Sequence, residues 1–166
     1  MATELKNLSR YNPDEIISAK NYRFAIVYAQ WNMEITQPLY EGCLHTLLKH
    51  EAIESNIDLY QVPGSFELTF ACSELTKTKN YDAVIAIGCI IEGETRHFEF
   101  IADAVANGIA QLNSTQSIPV IFAVLTPSSQ QQGIDRAGGK HGNKGVEAAI
   151  TALKMIAFKN SIQNKK

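Results

Sequence analysis

No apolar run in this chain approaches the length of a bilayer span, so no membrane helix is expected. The first twenty residues carry Glu4, Lys6, Arg10, Asp14 and Glu15 and no apolar h-region, which argues against a signal peptide. Charge of one sign is also missing. A formal net charge of −2 leaves no electrostatic footprint for nucleic acid. The one basic cluster, Lys165-Lys166 with Lys159 nearby, reads as a solvated tail. Cysteine is scarce: Cys43, Cys72 and Cys89 are odd in number and each sits among apolar residues. That pattern argues against a disulfide framework or a metal site and fits reduced, buried thiols in the cytoplasm. Gly138, Gly139, Gly142 and Gly145 lack the spacing and preceding strand of a dinucleotide-binding or Walker-type loop.

What is present is an ordinary globular composition, 45% hydrophobic and 19% charged over 166 residues, consistent with one domain spanning 1–166. A polar arm occupies residues 1–21 and a polar tail residues 159–166. Between them, strand-like and helical segments alternate. Apolar strands are expected over Arg23 to Ala29, Ile57 to Val62, Ala83 to Ile91 and Pro119 to Leu125. Helices follow from about Glu34 (apolar stripe Ile35, Leu39, Cys43, Leu47, Leu48) and after Ser65 as cap (Leu68, Ala71, Cys72, Leu75). A further helix covers Phe98 to Leu112. A short polar helix begins at Thr126-Pro127-Ser128 and runs to Arg136. After a glycine break at Gly138 to Gly142, a last helix from about Asn143 buries Val146, Ile150, Leu153 and Ala157. Near-continuous apolar strands imply a sheet covered on both faces. The expected fold is an α/β three-layer sandwich with a mainly parallel four-stranded sheet, flavodoxin-like in layout.

In such a sheet, ligands sit beyond the carboxyl ends of the strands. Those ends carry Gln30-Trp31-Asn32, Pro63 to Glu67, Gly93 to His97, and Thr126, so polar and aromatic groups from separate loops converge. The third of these loops opens a helix, whose free N–H groups and dipole favour an anion. Thr95 and His97 stand there, an anion site with an acid/base beside it. Glu94 can contribute only its backbone N–H. Each group also has a plain reading. His97 can be a first-turn surface residue, Thr95 an N-cap, and Glu67 a carboxylate favoured by the dipole. Trp31 is either a stacking platform for a flat heterocycle or a packing residue against another subunit. Phe122, by spacing alone, is core. Arg136 can be a helix C-terminal partner; as an anion ligand it would have to reach a distant loop. Lys144 opens a helix where lysine is electrostatically unfavourable, a misfit that hints at function. Cys89 ends a strand, but no partner base accompanies it.

Taken in order, Trp31 to Thr36, Val62 to Glu67, GCIIEGETRHFE from Gly88 to Glu99, Val124-Leu125-Thr126, Arg136-Ala137-Gly138 and Gly142 to Ala149 closely resemble the lumazine synthase family. The resemblance implies the following chemistry. An amine of 5-amino-6-(D-ribitylamino)uracil condenses with the ketone of 3,4-dihydroxy-2-butanone 4-phosphate, the imine eliminates phosphate, and the ring closes with loss of water. No cofactor and no metal are implied. By resemblance His97 transfers protons, while Glu94, Thr95 and Arg136 bind phosphate. Trp31 stacks on the ring with Phe122 across from it. Asn32, Ser65, Phe66, Glu67, Cys89, Ile90, Ile91 and Lys144 contact the pyrimidine or ribityl chain. The resemblance also implies a homo-oligomer, a pentamer or a 60-subunit shell of twelve pentamers, with Phe122, Arg136 and Lys144 coming from the adjacent subunit. Riboflavin synthase is implied as a further partner. Trp31 stands where the family usually has phenylalanine, Glu92 where it often has a basic residue, and Gly133 where alanine is common. The Trp31 departure keeps a second reading open, a non-catalytic flavin-binding or storage oligomer. A third reading is a flavodoxin-like phosphosugar enzyme.

Overall fold

The β-branched and apolar runs pair as strands; those at the sheet centre bury both faces, whereas the edge run Ile57–Val62 leaves Leu59, Tyr60 and Gln61 exposed. In the computed structural model, which describes residue 7 and residues 9–163, these strands are β1 (Phe24–Ala29), β2 (Ile57–Val62), β3 (Ala83–Cys89) and β4 (Val120–Leu125). They form one parallel sheet in the order β2-β1-β3-β4, with Phe24 beside Ile57 and Ala83, and Val84 beside Val120. Every residue of β3 is buried, as expected for a central strand with helices on both sides.

Side-chain alternation along the strands separates two cores. Phe24, Ile26, Ile85 and Ile87 face Ile35, Leu39, Cys43 and Leu153 of α1 (Met33–Lys49) and α5 (Lys144–Gln163). Ala25, Val27, Val84 and Ala86 face Leu68, Cys72, Val105 and Ile109 of α2 (Leu68–Lys77) and α3 (His97–Thr115). The result is a three-layer α/β sandwich, flavodoxin-like. The chain runs from β1 outward to β2, then returns to place β3 on the other side of β1. The strand order therefore reverses between β1 and β3, and a crevice opens at their carboxyl ends.

Helices α1 and α5 meet unusually closely, and the sequence permits it by omitting side chains. A Cβ on Gly145 would lie 1.8 Å from the Leu39 carbonyl oxygen, and one on Gly42 would lie 2.7 Å from the Asn143 carboxamide. Asn143 fills the seam: its Nδ2 donates to the carbonyls of Pro38 (2.9 Å) and Ala137 (3.3 Å), and its Oδ1 accepts from Gly145 N–H (2.7 Å).

Several sequence expectations are corrected. The third strand ends at Cys89 rather than Ile91, and α3 begins one residue early at His97. The short helix α4 spans only Gln130–Ile134 and is capped by Ser129, whose hydroxyl accepts from Gln132 N–H, rather than starting at Thr126. The glycine break is an antiparallel hairpin, β5 (Ala137–Gly139) with β6 (Gly142–Asn143), shaped by positive φ at Gly138 and Gly142. Helix α5 continues to Gln163, into the segment expected as tail, and Val146 and Ala157 are only half-buried while Ala148, Ala149 and Ile156 are buried. Lys165 and Lys166 lie outside the described residues. The amino-terminal arm is not wholly polar in behaviour: Ala19 is fully buried and Ile16 and Ile17 pack on the core.

The α1–α5 contact yields a direct expectation. Gly145→Ala should lower the unfolding free energy by about 3 kcal/mol in a denaturant titration. Gly93→Ala, where an added Cβ meets nothing within 4 Å, should stay within about 0.5 kcal/mol of the parent.

Candidate active site

The last carbonyl of β3 organises the crevice. Cys89 O accepts Asn32 Nδ2 at 2.9 Å and the Ser65 hydroxyl at 3.5 Å. One acceptor thus ties together the loops that follow β1, β2 and β3. Asn32 can do this because it holds a left-handed conformation (φ 62°, ψ 43°) at the start of α1, a region asparagine enters more readily than most residues. Its own carbonyl accepts from Ile35 and Thr36 N–H, so α1 starts there. Ser65 is buried beside Gly88, where a Cβ would sit 2.6 Å from the serine oxygen. The hydroxyl expected to cap α2 is instead turned toward the sheet, and Glu67 occupies the cap position without a side-chain bond.

Ladder hydrogen bonds continue past the strand ends and hold the loop backbones. Trp31 N–H donates to the Pro63 carbonyl at 3.0 Å, and Glu92 N–H to that of Pro127 at 3.0 Å. The Trp31 indole is left 73% exposed.

These loops enclose a cleft of about 410 Å³. Trp31, Asn32, Ser65, Phe66 and Glu67 line one side. Cys89, Ile90 and Ile91, at the end of β3, and Thr95 and His97, at the start of α3, line the cleft as well. Ten of the predicted site residues therefore share one cavity of mixed apolar and polar lining, the usual character of a small-molecule site. Glu94 is exposed and is not among the residues that line it. Thr95 does not hold the cap position of α3, which is Arg96, but its hydroxyl accepts from His97 N–H at 3.4 Å. Arg96 is turned along the helix into an ion pair with Glu99 at 2.8 Å. Gly64 and Gly93, within the strand-end loops expected to converge, also line the cleft, and so do Phe98 and Ile101, which were not singled out from sequence. Both lie in the first turns of α3, at the end of the helix that meets the cleft.

Three predicted residues lie elsewhere in the chain. Phe122 was expected in the core by spacing; it is 38% exposed, because β4 is an edge strand with no neighbour beyond it. It lines a separate groove with Lys144, Glu147, Thr151 and Met155. Lys144 Nζ lies 2.5 Å from Glu147 Oε1, which offsets the lysine's unfavourable place at a helix start. Arg136 precedes β5 and donates from Nη1 to the Gln132 carbonyl at 3.0 Å, the helix-end partner that its position allowed.

All three cysteines are free and buried. Burial pushes the thiols of Cys72 and Cys89 up to about 12 and that of Cys43 higher still. Cys89 thus holds its proton at neutral pH and is no thiolate nucleophile.

A family model described as 6,7-dimethyl-8-ribityllumazine synthase matches residues 21–160. A protein of that name from Phocaeicola vulgatus is 50% identical over 163 residues, 98% of this chain and 97% of the relative. One from Cytophaga hutchinsonii is 54% identical over 95% of this chain and 98% of its own length. One from Flavobacterium johnsoniae is 52% identical over 93% of this chain and 82% of its own length.

Thiol chemistry offers a check on the lining of the cleft. At pH 7.5 a thiol reagent should leave Cys72 and Cys89 unlabelled in the folded chain and label both in denaturant. Because their pKa values are raised, labelling of the folded chain should accelerate only as pH climbs toward about 12. Rapid labelling of Cys89 at neutral pH would contradict the burial described here.

Proposed function

The chain belongs to the 6,7-dimethyl-8-ribityllumazine synthase family and is a transferase of riboflavin biosynthesis, and from that we propose how its residues divide the reaction. The cleft beyond β1 and β3 takes 5-amino-6-(D-ribitylamino)uracil, with its ring on Trp31 and its ribityl chain toward Glu67. An ionised carboxylate accepts hydrogen bonds from adjacent hydroxyls well. Asn32 Nδ2 is already committed to the Cys89 carbonyl, so its Oδ1 is the group left to accept from the substrate. Ser65 is committed in the same way and shapes the wall beside Phe66. Backbone groups of Cys89, Ile90 and Ile91 meet the pyrimidine edge.

The phosphate of 3,4-dihydroxy-2-butanone 4-phosphate sits at the start of α3, where the Glu94 backbone N–H, the Thr95 hydroxyl and the helix dipole favour an anion. The substrate amine attacks the ketone carbon and water leaves, giving the imine. His97 then takes the proton whose loss lets the carbon–oxygen bond to phosphate break. The second amine closes the ring with loss of water. Holding two substrates together supplies much of the acceleration. The single observation that carries this reading is the shared cavity of Trp31, Glu67, Thr95 and His97.

Arg136, Phe122 and Lys144 complete the site from a neighbouring subunit in this proposal. Two unlike apolar faces support it. Phe66, Phe70 and Phe100 are exposed on the α2–α3 side, and Phe122, Met155, Phe158 and Ile162 on the α5 side. A contact between unlike faces is head-to-tail and generates a ring when its rotation closes. We take that ring to be a pentamer, alone or as one of twelve in a shell, acting in the cytoplasm ahead of riboflavin synthase. Three free thiols suit that compartment. Among the described residues no helix is long and apolar enough to cross a membrane.

The decisive assay follows lumazine formation and phosphate release together on purified protein. His97→Ala should lower kcat by about a hundredfold with assembly intact; unchanged turnover would remove His97 from the mechanism. Arg136→Ala should raise KM for the ketose phosphate by about tenfold or more, the weight of a charge-assisted pair. The exposed Trp31 indole supports a second reading, a flavin-binding or storage oligomer. A yellow ligand that co-purifies with protein inactive on both substrates would favour that one.

A further inference from the structure

The segment from Asp135 to Glu147 gathers three cations, Arg136, Lys140 and Lys144, with two carboxylates, Asp135 and Glu147. Each lysine has its own carboxylate. Lys140 Nζ lies 3.2 Å from Asp135 Oδ2, and Lys144 Nζ 2.5 Å from Glu147 Oε1. Among the described residues Arg136 enters no ion pair. One of its guanidinium nitrogens donates to the Gln132 carbonyl, which leaves the rest of the fork available.

Asp135 is tied more firmly than a surface partner for a lysine needs to be. The residue is only 8% exposed. Its Oδ1 accepts from Gln131 Nε2 at 3.0 Å, its N–H donates to the Gln131 carbonyl at 2.9 Å, and its carbonyl accepts from His141 N–H at 2.9 Å. The β5–β6 hairpin folds over it so closely that a Cβ on Gly139 would lie 2.8 Å from Asp135 Cα. The Arg136 carbonyl in turn accepts from Lys144 N–H at 2.8 Å, which ties the two mouths of the hairpin together. The Gln131 hydrogen bond, and after it Lys140, hold the Asp135 carboxyl below its ordinary range, so it stays ionised at neutral pH.

We propose that Asp135 is a positioning residue for Arg136. It draws the hairpin tip back through Lys140 and fixes the backbone from which the guanidinium is presented. The inference rests on Arg136 as a phosphate ligand, and its test separates the two claims.

The test is steady-state kinetics of the full chain against the ketose phosphate. Asp135→Asn keeps the shape and removes the charge; KM should rise about tenfold while kcat stays within about twofold. In an Arg136→Ala background the same change should move KM by less than about twofold, because the positioned group is gone. Lys140→Met leaves the carboxylate free to attract the adjacent guanidinium and should raise KM as well, with Lys140→Arg restoring it. If Arg136→Ala raises KM but Asp135→Asn does not, the positioning role alone is overturned. An equal rise in both backgrounds would mean a general structural role and would overturn it too. If Arg136→Ala itself leaves KM unchanged, the phosphate reading of Arg136 fails, and this inference fails with it.

Discussion

A single carbonyl oxygen, that of Cys89, is the point on which the cleft depends. It ends the central strand β3, and in a sheet edge open to solvent it would accept from water. Here it accepts from Asn32 and Ser65 instead, so three loops that arise from three strands share one anchor. Loops carry function because they are free to vary, and for the same reason they are poor at holding atoms to fractions of an ångström. An interior acceptor bonded from two sides corrects that weakness. A preorganised cavity can then exist before any substrate arrives, which is what two-substrate catalysis by proximity requires.

The second constraint is the closeness of α1 and α5. Asn143 sits where these helices meet the β5–β6 hairpin, bonding to Pro38, Ala137 and Gly145. The hairpin is thereby built onto the rigid layer of the sandwich rather than hung from its surface. Its two charged ends, Arg136 and Lys144, inherit that rigidity through the hydrogen bond between their backbones. The molecule thus carries two stiff clusters, one around Cys89 and one around Asn143, on different parts of its surface.

Much of this was legible in the amino-acid order, and the failures have physical causes. Strand β2 was placed at its observed limits, because an apolar run stopped by Pro63-Gly64 has little other choice. The convergence of Trp31, Glu67, Thr95 and His97 followed from parallel topology alone. Phe122 was misread, because alternation reports which face a residue takes and is silent on whether that strand is an edge. Ser65 was misread for a different reason. A serine before a helix commonly caps it, but here a competing acceptor 24 positions away in sequence is nearer, and no local pattern can reveal it. The glycines from 138 to 142 announced an interruption correctly; that it pairs with itself depends in part on Asn143 meeting Pro38, a partner far away in the chain. Gly145 and Gly88 carried no visible signal, since the atoms they make room for come from other elements.

Trp31 and Asn32 are neighbours in the chain with opposite kinds of freedom. Asn32 is bound by its backbone conformation and by its side chain, so few residues could replace it without loosening the cleft. Among the described residues Trp31 is held through its backbone N–H, and its indole makes no hydrogen bond. Position 31 can therefore exchange one ring for another while the scaffold beneath it stays unchanged. The site divides into an invariant frame and a replaceable face, so a change in the ligand's aromatic surface can be met without renegotiating the architecture that holds it.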